Sequence, residues 1–509
     1  MQIKRATLKN FRGYKEEVDI EFQNLTVFIG KNDVGKSTVL EALDVFFNDG
    51  KGVVNLDVND INKVALQEGD SEIIISVEFE NLPSEIVIDA TNKTSLSDEY
   101  LLNSAGNLTI IKKYPNASSS KAKVYIKAMH PNNKKCNDLL SKRNNDLRKI
   151  IEQENIECSD RTVNATMRAA IWKHFEENLE ITETEIDVTK EDAKNIWVNL
   201  QKYMPIYSLF QSDRSNNDSD KEVQNPLERA VQEIFRRTDI QEKLDIVASE
   251  VKEKLEDVSN RTLEKLREMN PEIADSLNPV IPNTENLKWA AVFKNVSITG
   301  DNDIPINKRG SGIRRLILIN FFRAEAERRI REMNAPSIIY AIEEPETSQH
   351  AEHQKKMIEA FLELADAPNT QIVLTTHCAN IVKKLHKHLR LIGPDRKITN
   401  ITKSLLPYPS LNEVNFVAFG EISVEYHDEL YGYILEQKKF NQYKVGKETR
   451  PYIKLLRDGS TSQEIRILSE YIRNLIHHPE NTHNARFSDE ELSRSICEMR
   501  EFIKSIIDL

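Results

Sequence analysis

The sequence predicts an α/β fold whose parallel sheet is interrupted by a long charged stretch. Three observations carry this reading. Leu25-Thr-Val-Phe-Ile29 is an unbroken apolar run of strand length, followed by a glycine-bearing loop and then by Ser37–Phe47, where Val39, Leu40, Leu43 and Phe46 recur at helical spacing. Strand, glycine loop and helix in that order open a parallel α/β unit, because a strand buried on both faces is apolar throughout. Two more such runs, Ile338–Ile342 and Gln371–Thr376, return far downstream. Between the two groups, from about 84 to 285, Gly and Pro are sparse, charge is dense and helical periodicity dominates.

Taken in order, residues 2–9 and 18–22 alternate apolar and polar as half-buried strands do, with Asn10-Phe-Arg-Gly-Tyr14 as the turn between them. Residues 72–79 read as a further strand, which closes an N-terminal lobe at 1–83. The segment 84–285 is expected to be a mostly helical insertion. Within it, 108–149 carries eleven Lys and Arg against two Asp, and 226–270 has apolar residues at three- and four-residue steps, as long amphipathic helices do. Strand patterns return at 289–298 and 337–342, with a helix at 312–333 between them, and again at 371–376, giving a C-terminal lobe at 286–395. Residues 396–509 are expected to form a separate, mostly helical domain ending in at least two helices.

With 509 residues there is room for two to four domains at roughly 150 residues each. The apolar runs are strand-sized, short of the ~20 residues that span a bilayer, and the N-terminus enters a strand pattern with no apolar leader. The expectation is a cytoplasmic protein with no membrane contact. Four cysteines without a CxxC pair argue against a disulfide framework and a zinc site. A net charge of −11 argues against coating DNA by bulk charge, and leaves the basic stretch 108–149 as the one candidate local contact for nucleic acid or a partner.

Four motifs carry chemistry. Gly30-Lys-Asn-Asp-Val-Gly-Lys-Ser37 matches the phosphate-binding pattern G-x4-G-K-[ST] between a strand and a helix. Its glycines let backbone N–H groups turn toward phosphate oxygens, and the helix N-terminus adds its positive end. Lys36 reaches the β- and γ-phosphates of ATP and the Ser37 hydroxyl ligates Mg²⁺; Gly30, Asn32, Gly35, Lys36, Ser37 and Thr38 are the candidate nucleotide-binding residues. Ile338–Ile342 ends in Glu343-Glu344-Pro345-Glu346. There Glu343 is the candidate second metal ligand, and Glu344 the carboxylate that polarises the attacking water. Gln371–Thr376 ends in His377, placed to sense the γ-phosphate. Gly310-Ser311-Gly312 opens a helix and offers a second anion site.

Asn10-Phe-Arg-Gly-Tyr14, Phe28–Thr38, Arg309-Gly-Ser-Gly312, Ile342-Glu-Glu-Pro-Glu346 and Leu374-Thr-Thr-His377 together resemble the ATPase of OLD-family and RecF/SMC-like ABC proteins. The resemblance covers about 1–80 and 285–390. It implies an ABC-type P-loop ATPase domain with a long helical insertion and a mostly helical C-terminal domain. It also implies ATP with Mg²⁺ as cofactors and a homodimer or higher homo-oligomer, in which Lys36, Ser37 and Glu344 of one protomer face Ser311 of the other. Members of this class act on DNA ends, in recombination, or in bacterial defence against phage. No apolar strand followed by Asp-x-Asp occurs after His377, and Glu421, Glu425 and Asp458 stand isolated, so the TOPRIM nuclease of full OLD proteins is not expected. The chain is more similar to the nuclease-less ATPases of anti-phage systems of the Septu and PARIS types, which implies a sensor, scaffold or regulator of a separate effector, a nuclease or toxin, with DNA a further candidate contact. Two alternatives stand beside it. Arg473-Asn-x3-His478 resembles the R-N-x3-H motif of HEPN ribonucleases, which implies an ATP-gated nuclease; the same residues also suit a helix C-terminus, where Arg and His complement the dipole and Pro479 stops the helix. A RecF-like DNA-repair ATPase is the other.

Overall fold

The computed structural model describes residues 1–50, 52–89, 92–189, 193–211, 337–347, 351–400, 405–407, 410–456 and 458–507, with scattered positions between 240 and 253. The chain divides into two units, Met1–Ser212 with Arg323–Leu509, and Asp213–Phe322; apart from those scattered positions, every described residue lies in the first.

The strands of this unit are, in chain order, β1 (Gln2–Lys9), β2 (Val18–Glu21), β3 (Leu25–Ile29), β4 (Glu72–Glu80), β5 (Ile86–Asp89), β6 (Asn92–Thr94), β7 (Leu108–Pro115), β8 (Lys123–Pro131), β9 (Ile181–Asp187), β10 (Ile206–Phe210), β11 (Ile338–Glu343), β12 (Thr370–Thr375), β13 (Leu389–Ile392), β14 (Ile398–Asn400), β15 (Thr449–Leu455) and β16 (Thr461–Ile467). One six-stranded sheet runs β2-β1-β4-β7-β8-β9 and is antiparallel throughout. Its strands bury alternate residues, as in β4, where Ile73, Ile75, Val77 and Phe79 face the core. The second runs β10-β11-β12-β3-β13-β14, parallel except for the β13–β14 pair. Every residue of β3, β11 and β12 is buried, which is why these runs are apolar without alternation.

Buried polar side chains tie the chain's distant parts together. Gln371, on β12, donates to Ile3 O and Gln23 O and accepts from Ile3 N, so its amide joins the two sheets. The Tyr207 hydroxyl, on β10, donates to Leu40 O in the helix Lys36–Phe47, fixing that helix against the sheet.

The expected helical insertion needs correction over its described part. β7, β8 and β9 all lie within 84–285 and complete the antiparallel sheet, with the helices Asn144–Gln153, Asn164–His174 and Ala193–Leu200 beside them. The lysines of β7 and β8 hid the strand alternation. Lys113 pairs with Glu185 at 2.6 Å and Lys127 with Glu183 at 3.0 Å, both acids on β9. Lys135 pairs with Glu154, Lys142 with Asp138 and Lys149 with Asp146. Lys112 is buried, bonded to Phe46 O and Asp49 and lying over the Phe46 and Trp197 rings. Six of the eleven cations of 108–149 therefore have a carboxylate at hand, and the segment is no bare positive field. The long helices expected at 226–270, the strand at 289–298 and the helix at 312–333 fall outside the described residues, save the scattered positions.

The C-terminal domain is mostly helical: Leu411–Phe419, Val424–Glu436, Phe440–Tyr443, Leu468–His477 and Asp489–Ile507. Tyr426, Leu430, Ile434, Ile472, Ile496, Met499 and Ile503 form its core. Ser410 and Ser423 cap their helices through bonds to Glu413 N and Tyr426 N. The β15–β16 hairpin is an addition that the sequence reading lacks.

Candidate functional site

The parallel sheet's order decides where the chemistry gathers. β12 lies between β3 and β11, so the ends of the three strands release, side by side, the glycine loop, Thr376-His377 and the acids Glu343-Glu344. Open α/β sheets bind ligands at the carboxyl ends of their strands.

The loop after β3 needs its glycines. Gly30 has φ +145° and a methyl there would stand 2.6 Å from Ile392 O; Gly35 has φ +106° and a methyl there would meet the Tyr14 ring at 3.0 Å. Tyr14 also donates to Gly35 O at 3.1 Å, which ties the Asn10–Tyr14 turn to the loop. Arg12 of that turn pairs with Asp60 and with Glu41 of the loop's helix. No side chain caps the helix Lys36–Phe47, whose first amides are thus left for an anion. Lys36 is buried and donates to Gly30 O at 2.9 Å and Lys31 O at 2.7 Å. Burial lowers its pKa to about 8, against the opposing pull of the Glu344 and Asp33 carboxylates. Asn32 and Ser37 are exposed and Thr38 is half-buried.

Glu343 ends β11 and is buried, whereas Glu344 leaves the strand in the left-handed region, φ +41°. Such a conformation at a non-glycine residue, here also before Pro345, costs roughly 1–3 kcal/mol and persists only where its surroundings enforce it. The enforcing contacts are on β12: Glu344 N donates to Thr375 O at 3.0 Å and lies 3.2 Å from Thr375 Oγ1. The Glu344 carboxylate then meets His377, Oε1 to Nε2 2.9 Å. Burial, and next the Lys36 ammonium, lower the His377 pKa, opposed by Glu344 and Glu346. The ring of Phe419 lies 6.0 Å from that of His377.

The structure therefore brings Lys36, Glu344 and His377 together as one electrostatic cluster. Ser37 and Glu343 are a hydroxyl and a buried carboxylate, hard oxygen donors of the kind Mg²⁺ takes, and a buried carboxylate calls for a cation or donors. Gly310, Ser311 and Gly312 lie outside the described residues. Arg473 and His478 have separate partners: Arg473 stacks over Tyr431 at 4.8 Å, and the exposed His478 pairs with Glu480 at 3.2 Å, while His477 pairs with Asp428 at 2.7 Å. Tyr14 and Thr375 lie inside two of the quoted motifs without a role of their own, and Phe419 lies in none; strand order and the loop's close approach give them their contacts at the candidate site. Among the described residues no helix is long and apolar enough to cross a membrane, no group of three His, Cys, Asp or Glu gathers to hold a metal, and the four cysteines are free.

A family model described as an AAA ATPase domain matches residues 1–382, which include Lys36, Glu343, Glu344 and His377. No curated protein sequence matches the chain. Among solved structures it is similar to an SMC head bound to the C-winged-helix domain of ScpA, at 14% identity and a TM-score of 0.37 over 78% of this chain and 98% of that one. It is also similar to the SMC head domain from Thermotoga maritima, at 10% identity and a TM-score of 0.32 over 79% and 100%.

Proposed function

We propose a function for a chain that belongs to the AAA ATPase domain family. It is an ATPase. Our finer reading is that it takes ATP with Mg²⁺ and that its nucleotide state governs a separate effector, a nuclease or toxin, in bacterial defence against phage. The observation that carries the hydrolytic part is the Glu344–His377 pair at the strand ends, in the field of Lys36.

Phosphate oxygens would replace Gly30 O and Lys31 O as acceptors for the Lys36 ammonium, restoring the charge that burial disfavours. Ser37 and Glu343 would hold Mg²⁺, which supplies neutralisation of charge on the β- and γ-phosphates. Glu344 orients the attacking water and accepts its proton. Because His377 holds the Glu344 carboxylate, a γ-phosphate that draws the imidazole to itself releases Glu344 for that task. Hydrolysis is thereby tied to the presence of the γ-phosphate. The effector reading is supported by the motif resemblance and by the C-terminal domain's contact with His377 through Phe419. A DNA contact stays part of the reading, without reliance on the paired lysines of 108–149.

The test is a pair of variants. Lys36→Ala should abolish hydrolysis and weaken nucleotide binding, whereas Glu344→Gln should bind ATP and stall, with turnover down at least about 100-fold. Wild-type turnover by Glu344→Gln would sink the assignment. Affinity capture with Glu344→Gln plus ATP should retain the effector, and with Lys36→Ala should not.

The assembly we infer is at least a dimer with Ser311 acting across the interface. Mixing inactive Lys36→Ala with inactive Ser311→Arg should then restore hydrolysis, because a hybrid has one site free of both defects. Hybrids that form, as differently tagged copies would reveal, but stay inactive would speak against the shared site.

A further inference from the structure

We propose that Glu346, three residues past the end of the acidic strand, is a positioning residue that places His377 where it can hold Glu344 and then release it to the γ-phosphate-driven step. The inference rests on the reading of Glu344 as the water-activating carboxylate.

One Glu346 oxygen, Oε1, takes two hydrogen bonds from consecutive residues at the end of β12: from Thr376 Oγ1 at 2.7 Å and from His377 N at 2.9 Å. The direction of the first is fixed by a third bond. Cys378 N donates to Thr376 Oγ1 at 3.0 Å, so the hydroxyl is already an acceptor on that side and spends its own proton on Glu346. Thr376 is fully buried, so water does not compete for that proton. A single carboxylate oxygen thus holds residues 376 and 377, and through the Thr376 hydroxyl residue 378, in the turn that leads into the helix Ala379–Lys384.

The bonds run both ways between β11 and β12. Glu344 N donates to Thr375 across the strands, and Thr376 and His377 donate back to Glu346. Pro345, the only residue between the two glutamates, stiffens the link between them. The closed circuit is Glu344 backbone to Thr375, along the chain to His377, His377 amide to Glu346, and Glu346 through Pro345 back to Glu344. The Glu344–His377 side-chain pair spans the middle of that circuit. Glu346 fixes the backbone from which the His377 ring projects, and has no need to touch nucleotide.

The test compares steady-state turnover and nucleotide affinity, the latter with a fluorescent ATP analogue, for wild type, Glu346→Ala, Glu346→Gln, Glu346→Asp and Glu344→Gln. Glu346→Ala should lose about 100-fold in kcat, the scale of a ~1 Å misplacement, while its nucleotide Kd stays within about threefold, because the phosphate loop is untouched. Glu346→Gln keeps a carbonyl acceptor at the same reach and should stay within about fivefold of wild-type kcat, whereas the shorter Asp should behave like Ala. Three results would overturn the proposal: wild-type kcat in Glu346→Ala; a Gln variant as slow as Ala, which would make the charge rather than the acceptor the essential feature; or parallel loss of kcat and affinity. Should the Ala variant fail to fold, the Gln–Asp contrast decides alone. Turnover by Glu344→Gln at the wild-type rate would instead overturn the underlying assignment, and is told apart because it leaves the Glu346 series unexplained by any carboxylate at 344.

Discussion

Lys112 shows how one side chain changes the meaning of a sequence feature. In the linear chain it is one of eleven cations that make 108–149 look like a binding stripe. In the fold it is 1% exposed, and burial pushes its pKa down while Asp49 pulls it up. Its partners differ in what they lose without it. Asp49 is 53% exposed and turns to water, but Phe46 O is left buried without its donor. Lys112→Met should therefore cost about 1–3 kcal/mol in urea unfolding, and Lys112→Glu, which buries a second negative charge beside Asp49, about 3–5 kcal/mol. Reversing the exposed Lys135, paired with Glu154, should cost less than about 1 kcal/mol. Equal costs at the two sites would show that Lys112 is not the buried cation described. Any charge-reversal test of nucleic-acid contact must leave Lys112 in place, or it measures unfolding.

Whole elements differ in how openly the sequence declares them. β3, β11 and β12 were legible because strands buried on both faces carry their signal within five or six consecutive residues. The glycine loop was legible because Gly30 and Gly35 answer a steric demand that only glycine meets. β7 and β8 were not, since Lys112, Lys113, Lys123 and Lys127 sit on them and the acids that answer Lys113 and Lys127 come from β9, some sixty residues on. The hairpin Thr449–Ile467 escaped for a related reason: its strands are largely exposed, so burial writes little alternation into them. Within the site, Lys36, Glu344 and His377 could be named from spacing, whereas Glu346 looked like one acid among three. Its distinction is a pair of donors that β12 delivers from thirty residues further on.

At the scale of the whole unit, the C-terminal domain reaches the candidate site at the end of the helix Leu411–Phe419. Phe419 lies against His377, and a methyl placed on Gly420 would come within 3.1 Å of Lys31 Cε and 3.2 Å of its Nζ. Lys31 thus holds its ammonium near a helix C-terminus, the negative end of the dipole, while belonging to the phosphate loop. On the function proposed above, a bound triphosphate would compete for both contacts: it would offer Lys31 a stronger anion than the helix end, and would draw the His377 ring toward the γ-phosphate. Since the two contacts join the same helix end, nucleotide binding should loosen residues 411–420, and the C-terminal domain should register it. Amide hydrogen exchange on the Glu344→Gln protein is the measurement: exchange at 411–420 should rise at least about threefold with ATP and less with ADP. In Phe419→Ala, exchange there should already be raised without nucleotide, and ATP should add little. Unchanged exchange on adding ATP, with binding shown in the same sample, would mean that the C-terminal domain does not read the nucleotide through this helix.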